Sequence, residues 1–97
     1  MHVGALELDL LLGDVHSLKQ KRSLVRPVVA ELRRKHDVSA AEVGHQELHR
    51  RTVIGVALVS DDPAHLHQVL DACERMVAAR PELELLSVRR RVLGPQD

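Results

Sequence analysis

A chain of 97 residues is long enough for one domain and short for two. Lysine and arginine together number 14, and so do aspartate and glutamate, so no net charge draws the whole chain to nucleic acid or to an anionic membrane. The chain has no Phe, Tyr or Trp, which excludes an RNA-recognition domain of the type that stacks bases on aromatic rings. Any binding to nucleic acid must therefore depend on a local cluster of cations.

Cysteine content and hydropathy indicate the compartment. A single cysteine, Cys73, excludes an internal disulfide and a Cys-x-x-Cys site. No apolar run approaches the ~20 residues of a membrane span, and no basic segment with a signal-like apolar core stands at the start. We therefore expect a cytoplasmic protein. Asparagine is absent and arginine greatly outnumbers lysine, which fits a thermophilic origin and is equally explained by genome composition.

The first half of the predicted fold is a strand followed by a helix. Apolar residues alternate with more polar ones over residues 2–12, which is typical of a strand with one buried face. A helix is predicted from Ser17, its N-cap, to about His36. Because Pro27 lies inside this helix, we expect either a kink or an irregular first segment, with the regular helix beginning near Ser23.

The second half of the chain contains three predicted strands and one helix. Residues 38–48 predict a strand with a bulge near Glu42, where the alternation changes phase. Residues 52–60 are almost all apolar, which is typical of a central strand with most of both faces covered. The sequence Asp61-Asp62-Pro63 predicts the start of the second helix, and residues 83–93 predict the last strand.

The order strand, helix, strand, strand, helix, strand predicts a single α+β domain over residues 1–97. The predicted fold is a ferredoxin-like βαββαβ sandwich, in which both helices pack on one face of a four-stranded antiparallel sheet. The first strand then lies between the third and the fourth, so we expect Glu7 and Asp9 to face Arg89 and Arg91. The other face of the sheet stays uncovered, and we expect it to be a partner or dimer surface.

The start of the first helix has an unusual charge. Acidic residues usually collect there because of the helix dipole, yet Lys19, Lys21 and Arg22 occur with no carboxylate among residues 16–30. Unpaired N–H groups, a favourable dipole end and clustered cations together predict an anion site. The alternative is a solvated basic turn whose charge is balanced by carboxylates on either side.

The sequence resembles the YlxP-like family of small bacterial proteins of unknown function. The similar segments are Ser17-Leu-Lys-Gln-Lys-Arg22, Leu32-Arg-Arg-Lys35, Val38-Ser-Ala-Ala-Glu-Val43 and Gly55-Val-Ala-Leu-Val-Ser60. The resemblance covers nearly the whole chain and implies a ferredoxin-like fold, a cytoplasmic protein, and genes often placed among those for translation initiation and ribosome maturation. It implies no reaction, cofactor or catalytic residue. Relatives often carry a tryptophan before the central strand, where this chain has Leu48 and His49.

These observations lead us to expect a non-enzymatic accessory protein, associated with translation or ribosome maturation through phosphate contacts to structured RNA. The candidate RNA- or anion-binding residues are Lys19, Lys21, Arg22, Arg50 and Arg51. Arginine and lysine suit phosphate oxygens without base stacking, so rRNA or a ribosomal particle is the expected partner. The alternative is a dimeric protein-interaction or small-anion-binding regulatory module, in which a homodimer forms through the open face of the sheet.

Metal binding and catalysis have little support in the sequence. His65 and His67 are two residues apart on a predicted helix and so point away from each other, and no cysteine or carboxylate completes a ligand set. Acylphosphatase-like chemistry on this topology uses an asparagine, which this chain lacks. Cys73 lies in an apolar stripe, where a thiol is expected to be inert. We predict no metal, no cofactor and no catalytic residue.

Overall fold

The computed structural model describes residues 1–96 and contains six elements in the predicted order. They are β1 (His2–Leu12), α1 (Leu18–His36), β2 (Ser39–Gly44), β3 (Arg51–Ser60), α2 (Pro63–Ala78) and β4 (Leu83–Leu93). The strands form one antiparallel sheet in the order β2-β3-β1-β4. The α+β ferredoxin-like arrangement is thereby confirmed. No helix within residues 1–96 has both the length and the apolar composition needed to cross a membrane.

The core lies between the two helices and one face of the sheet. Alternate side chains of β1 from Leu6 to Leu12 are at most 1% exposed, because successive side chains of a strand point to opposite faces. They belong to the same buried cluster as Val28 of α1 and Leu70 of α2. Both helices therefore cover one face, and the odd-numbered residues of β1 lie on the other, which we call the open sheet face.

The pairing of β1 with β4 confirms one of the two expected charge contacts. Glu7 lies opposite Arg89, with a carboxylate oxygen 4.0 Å from Nε. The prediction that Asp9 faces Arg91 is wrong, because in an antiparallel pair a step forward on one strand is a step backward on the other. Asp9 therefore lies opposite Ser87 and forms its ion pair with Arg51 of β3 instead.

Helix α1 begins directly after its predicted cap. The Ser17 hydroxyl accepts a hydrogen bond from the N–H of Gln20 at 3.1 Å, and the Gln20 side-chain oxygen accepts from the N–H of His16 at 2.7 Å. These reciprocal bonds resemble a capping box and satisfy two donors at the helix start. The helix continues past the exposed Pro27, so the alternative of an irregular segment up to Ser23 is wrong.

Removal of this cap has a measurable expected cost. Ser17→Ala is expected to lower the free energy of unfolding by about 1 kcal/mol, because the N–H of Gln20 loses its acceptor. Ser23→Ala is the matched control, since Ser23 lies on the exposed side of the same helix. Its hydroxyl donates only to a carbonyl oxygen one turn earlier. Urea denaturation in which both variants unfold at the wild-type midpoint would contradict the assigned cap.

Strand β2 is shorter than predicted. It ends at Gly44, and its register against β3 shifts between Glu42 and Gly44, which confirms the bulge. His45 then adopts φ 54°, in the left-handed region that ends an extended backbone. The N–H of Leu48 donates to the carbonyl oxygen of His45, so the residues expected to extend β2 instead form the turn before β3.

The single cysteine lies in the core. Cys73 is 0% exposed on α2, and burial raises the pKa of its thiol because the thiolate loses its solvation. We expect the folded protein to react with Ellman's reagent at pH 8 at least about tenfold more slowly than the urea-unfolded chain. Equal rates for the two states would contradict the burial of this thiol.

Candidate phosphate-binding surface

Lys21, one of the five candidate cations, lies inside the protein. Its side chain is 2% exposed, and its ammonium donates to the carbonyl oxygen of His45 at 2.6 Å and forms an ion pair with Glu42 at 2.9 Å. The same carboxylate oxygen of Glu42 accepts a hydrogen bond from the Thr52 hydroxyl at 2.6 Å. Lys21 therefore joins α1 to β2 and to the turn after it, and it is not available to an external anion.

Helix geometry explains why Lys21 separates from its neighbours. Residues two apart on a helix point in nearly opposite directions, so Lys19 is directed to solvent when Lys21 is directed to the core. Arg22, the residue after Lys21, is rotated from it by about 100° around the helix axis and is also exposed. The grouping of all three residues in one anion site is therefore corrected: the structure leaves Lys19 and Arg22 on the surface.

The two arginines before and at the start of β3 lie in different surroundings. Arg50 is exposed, and its Nε donates to the carbonyl oxygen of Gly13 at 2.8 Å, which holds it beside the loop that precedes α1. Arg51 contacts both carboxylate oxygens of Asp9 at 2.9 Å on the open sheet face. The structure therefore places Arg50 beside the loop that precedes α1, whereas the charge of Arg51 is balanced by Asp9 on the open sheet face.

The exposed side of α1 carries further cations that the sequence prediction missed. Successive residues of an α-helix are rotated by about 100° around its axis. The side chains of five cationic residues of α1 therefore fall within an arc of roughly 120°, and they extend over roughly 20 Å of the helix. We call this set the basic face of α1; its members, all exposed, are Lys19, Arg22, Arg26, Arg33 and Arg34. The helical spacing of 19, 22, 26 and 33 was the signal in the sequence that would have revealed it.

Most of the positive charge on this face lacks a carboxylate partner. Helix α1 contains seven of the 14 Lys and Arg residues of the chain and one of its 14 acidic residues. That acidic residue, Glu31, already binds Lys35 and Arg80. Within residues 1–96, four members of the basic face form no ion pair; they are Lys19, Arg22, Arg26 and Arg34. The fifth, Arg33, donates through Nε to the carbonyl oxygen of Ala40.

The arginines of β4 do not extend the basic face of α1. Arg90 binds Asp71 at 2.8 Å and lies 3.8 Å from Glu74 on α2. Arg89 and Arg91 lie on the open sheet face, where Arg89 is near Glu7. The cations of β4 are thus either balanced by α2 or placed on the face of the sheet that the helices do not cover.

The open sheet face combines apolar residues with a depression. Small residues such as Ala5, Ala41 and Gly55 line this depression of about 700 Å³, together with Val43, Arg89 and Arg91. Arg33 of α1 also contributes to its lining. The prediction that most of both faces of β3 is covered is wrong for the outer face, where Ala57 is exposed and Val59 is 62% exposed. This face is a candidate contact surface for a second protein or a second copy of the chain.

The histidines do not converge on one point. In the part of the chain from 1 to 96, no three or more His, Cys, Asp and Glu side chains are arranged to hold a metal ion. His45 lies near Asp9 and Arg51, whereas His65 and His67 are exposed on α2.

Comparisons with known proteins identify relatives without a described activity. Residues 3–90 match the model of a family described as "Protein of unknown function (DUF503)". An "Uncharacterized protein YlxP" of Bacillus subtilis (strain 168) is 29% identical over 82 residues, which cover 84% of this chain and 89% of that protein. Among solved structures, SnoaB, a cofactor-independent oxygenase from Streptomyces nogalater, is 9% identical with a TM-score of 0.49, over 99% of this chain and 94% of that one. A similarity this distant carries no inference about activity.

Proposed function

The chain belongs to DUF503, a family of proteins of unknown function, and we propose a non-enzymatic role for it. It is a cytoplasmic accessory protein of translation or ribosome maturation that contacts structured RNA through phosphate groups. The observation that carries this proposal is the uncompensated charge of Lys19 and Arg22, which are exposed at the start of α1 and have no carboxylate partner within residues 1–96. Arg50, held at the loop before α1, is a further exposed cation.

Two features of the chain favour phosphate contacts over base recognition. The protein has no aromatic side chain, so bases have no ring on which to stack. Its net charge is zero, so attraction to RNA depends on where the cations are placed rather than on their total. Lysine and arginine at a helix surface donate to phosphate oxygens irrespective of sequence. Such binding suits a large structured RNA whose backbone is exposed.

Co-sedimentation with ribosomal subunits tests the proposal. The tagged protein is centrifuged with subunits from its own cells at about 50 mM and about 200 mM salt, because phosphate contacts weaken steeply over this range. We expect attachment at low salt, weakened at high salt and reduced in Lys19→Ala/Arg22→Ala. The matched control is Arg75→Ala/Arg91→Ala, which removes the same charge from exposed positions outside α1.

The result that opposes the proposal is equally specific. A folded protein that does not attach to either subunit at low salt would overturn it. Equal loss of attachment in the two double variants would also overturn the assignment to α1, because the response would then follow total charge rather than position.

A homodimer is a second candidate, favoured by the exposed apolar residues of the open sheet face. Val43, Val59 and Leu93 are 53%, 62% and 43% exposed, and charges of both signs lie among them, so a two-fold copy would present complementary charges. The test is the molar mass in solution by light scattering. A dimer that Val59→Asp dissociates and Lys19→Ala/Arg22→Ala preserves would support this candidate; a monomer throughout would overturn it.

A further inference from the structure

We propose that the RNA partner is a double helix and that the basic face of α1, along its whole length, lies against its phosphates. This inference rests on the proposed function and deepens it. It extends the contact from the start of α1 to Arg26 and Arg34, neither of which was a candidate from the sequence. It excludes Lys21 and Arg51, whose charges are paired with Glu42 and Asp9.

The geometry of the basic face supports an extended contact. Its five positions lie on one side of a regular helix over roughly 20 Å, and the core behind the helix fixes their spacing through buried residues such as Val28 and Leu32. Four of the side chains have no protein partner of their own within residues 1–96, whereas Arg33 is held against β2 by its bond to Ala40. A helix N-terminus alone would present one anion site at one end. The observed cations continue to Arg34 near the other end of α1, so the surface matches a row of phosphates rather than a single anion.

The composition of the chain favours a duplex over a single strand. Proteins that bind single strands usually stack the bases on aromatic side chains, and this chain has none. Double-stranded RNA is recognised mostly by shape and by contacts to phosphates and 2′-hydroxyls. A row of arginine and lysine side chains carried on one regular helix can supply those contacts with no reading of the bases.

The neighbouring helix limits the orientation in which the protein can bind. The exposed start of α2 carries Asp61 and Asp62, and the carboxylates of Asp71 and Glu74 further along are already shared with Arg90. Phosphates near the start of α2 would be repelled, whereas phosphates along α1 meet uncompensated cations. The charge distribution therefore directs α1, and not the middle of the helical layer, towards the duplex.

Fluorescence anisotropy with labelled oligonucleotides tests this inference. The probes are an RNA duplex of about 16 base pairs, one of its strands alone, and the corresponding DNA duplex, each titrated at several salt concentrations. We expect the RNA duplex to bind more tightly than the single strand. Arg26→Ala/Arg34→Ala should weaken duplex binding at least about tenfold at low salt. It should also reduce the slope of log affinity against log salt concentration by about two. The control Arg75→Ala/Arg91→Ala should bind the duplex with nearly wild-type affinity.

The outcomes separate this inference from the function on which it rests. If ribosomal attachment depends on Lys19 and Arg22 but the single strand binds as tightly as the duplex, or Arg26→Ala/Arg34→Ala binds as wild type, the duplex assignment is overturned and the function stands. If the protein binds neither subunits nor duplex, both are overturned. Binding to phosphatidylserine vesicles through α1, without duplex binding, would overturn the inference in favour of a membrane surface.

Discussion

Replacement of Lys21 by alanine is expected to lower the free energy of unfolding by roughly 3 kcal/mol, the largest effect of any charge removal considered for this protein. The ammonium is 2% exposed and makes two close contacts, to Glu42 and to the carbonyl oxygen of His45. Without it, Glu42 keeps the Thr52 hydroxyl but has no cation. We place the effect at the lower end of the range for broken buried pairs because Glu42 retains 23% exposure.

Urea and thermal denaturation measure this effect. In a domain of this size, roughly 3 kcal/mol corresponds to a fall in Tm of roughly 12–24 °C. Lys19→Ala is the matched control, since it removes the same side chain from an exposed position two residues away and should change stability by less than about 0.5 kcal/mol. A Lys21→Ala variant as stable as Lys19→Ala would contradict the buried ion pair.

A double-mutant cycle separates the ion pair from the packing of the lysine chain. Lys21→Met keeps most of the apolar stem, and Glu42→Gln removes the opposing charge while retaining an acceptor for Thr52. We expect the double variant to lose less stability than the sum of the two single variants, because the second change removes the charge left unpaired by the first. Additive losses would show that the two groups are not coupled.

Gly4→Ala is expected to lower the free energy of unfolding by roughly 1–3 kcal/mol through overpacking. A Cβ at this position of β1 would lie 2.6 Å from Cδ2 and 3.0 Å from Cγ of Leu66, and 3.1 Å from Cδ1 of Leu70. Both leucines are 0% exposed, so any movement away from the new methyl group must be accommodated within the core. The absence of a side chain at Gly4 allows α2 to approach the sheet this closely.

Gly13→Ala is the matched control for this prediction. The nearest atom to a Cβ at Gly13 is a carbonyl oxygen 3.9 Å away, and no glycine of the described chain has a positive φ. Alanine should therefore fit there with little change in the urea midpoint. Leu66→Val together with Gly4→Ala should recover part of the loss, because it shortens the side chain that the new methyl group meets. Equal stability of the two single glycine variants would contradict the close packing of α2 on β1.

Much of the fold could be predicted from local sequence, because the signals that define each element lie within it. Alternation marks β1 and the caps mark the helix starts, where Ser17 and Asp62 each accept a hydrogen bond from an N–H two or three residues later. The end of β2 was harder to predict from the sequence. The left-handed backbone that ends the strand occurs at His45 and not at a glycine or asparagine, the residues that most readily adopt it.

One part of the candidate site follows from helical periodicity, and the other part depends on strand register and helix packing. The sequence by itself determined that α1 is strongly basic, and a stricter use of its 3.6-residue period would have placed Arg26 and Arg34 beside Lys19, since positions on one helix are related by a fixed rotation. Only the tertiary structure decided that Lys21 is buried and that the charge of Arg51 is balanced by Asp9. Their partners, Glu42 and Asp9, are distant in the chain and approach through strand register and helix packing, which no local pattern encodes.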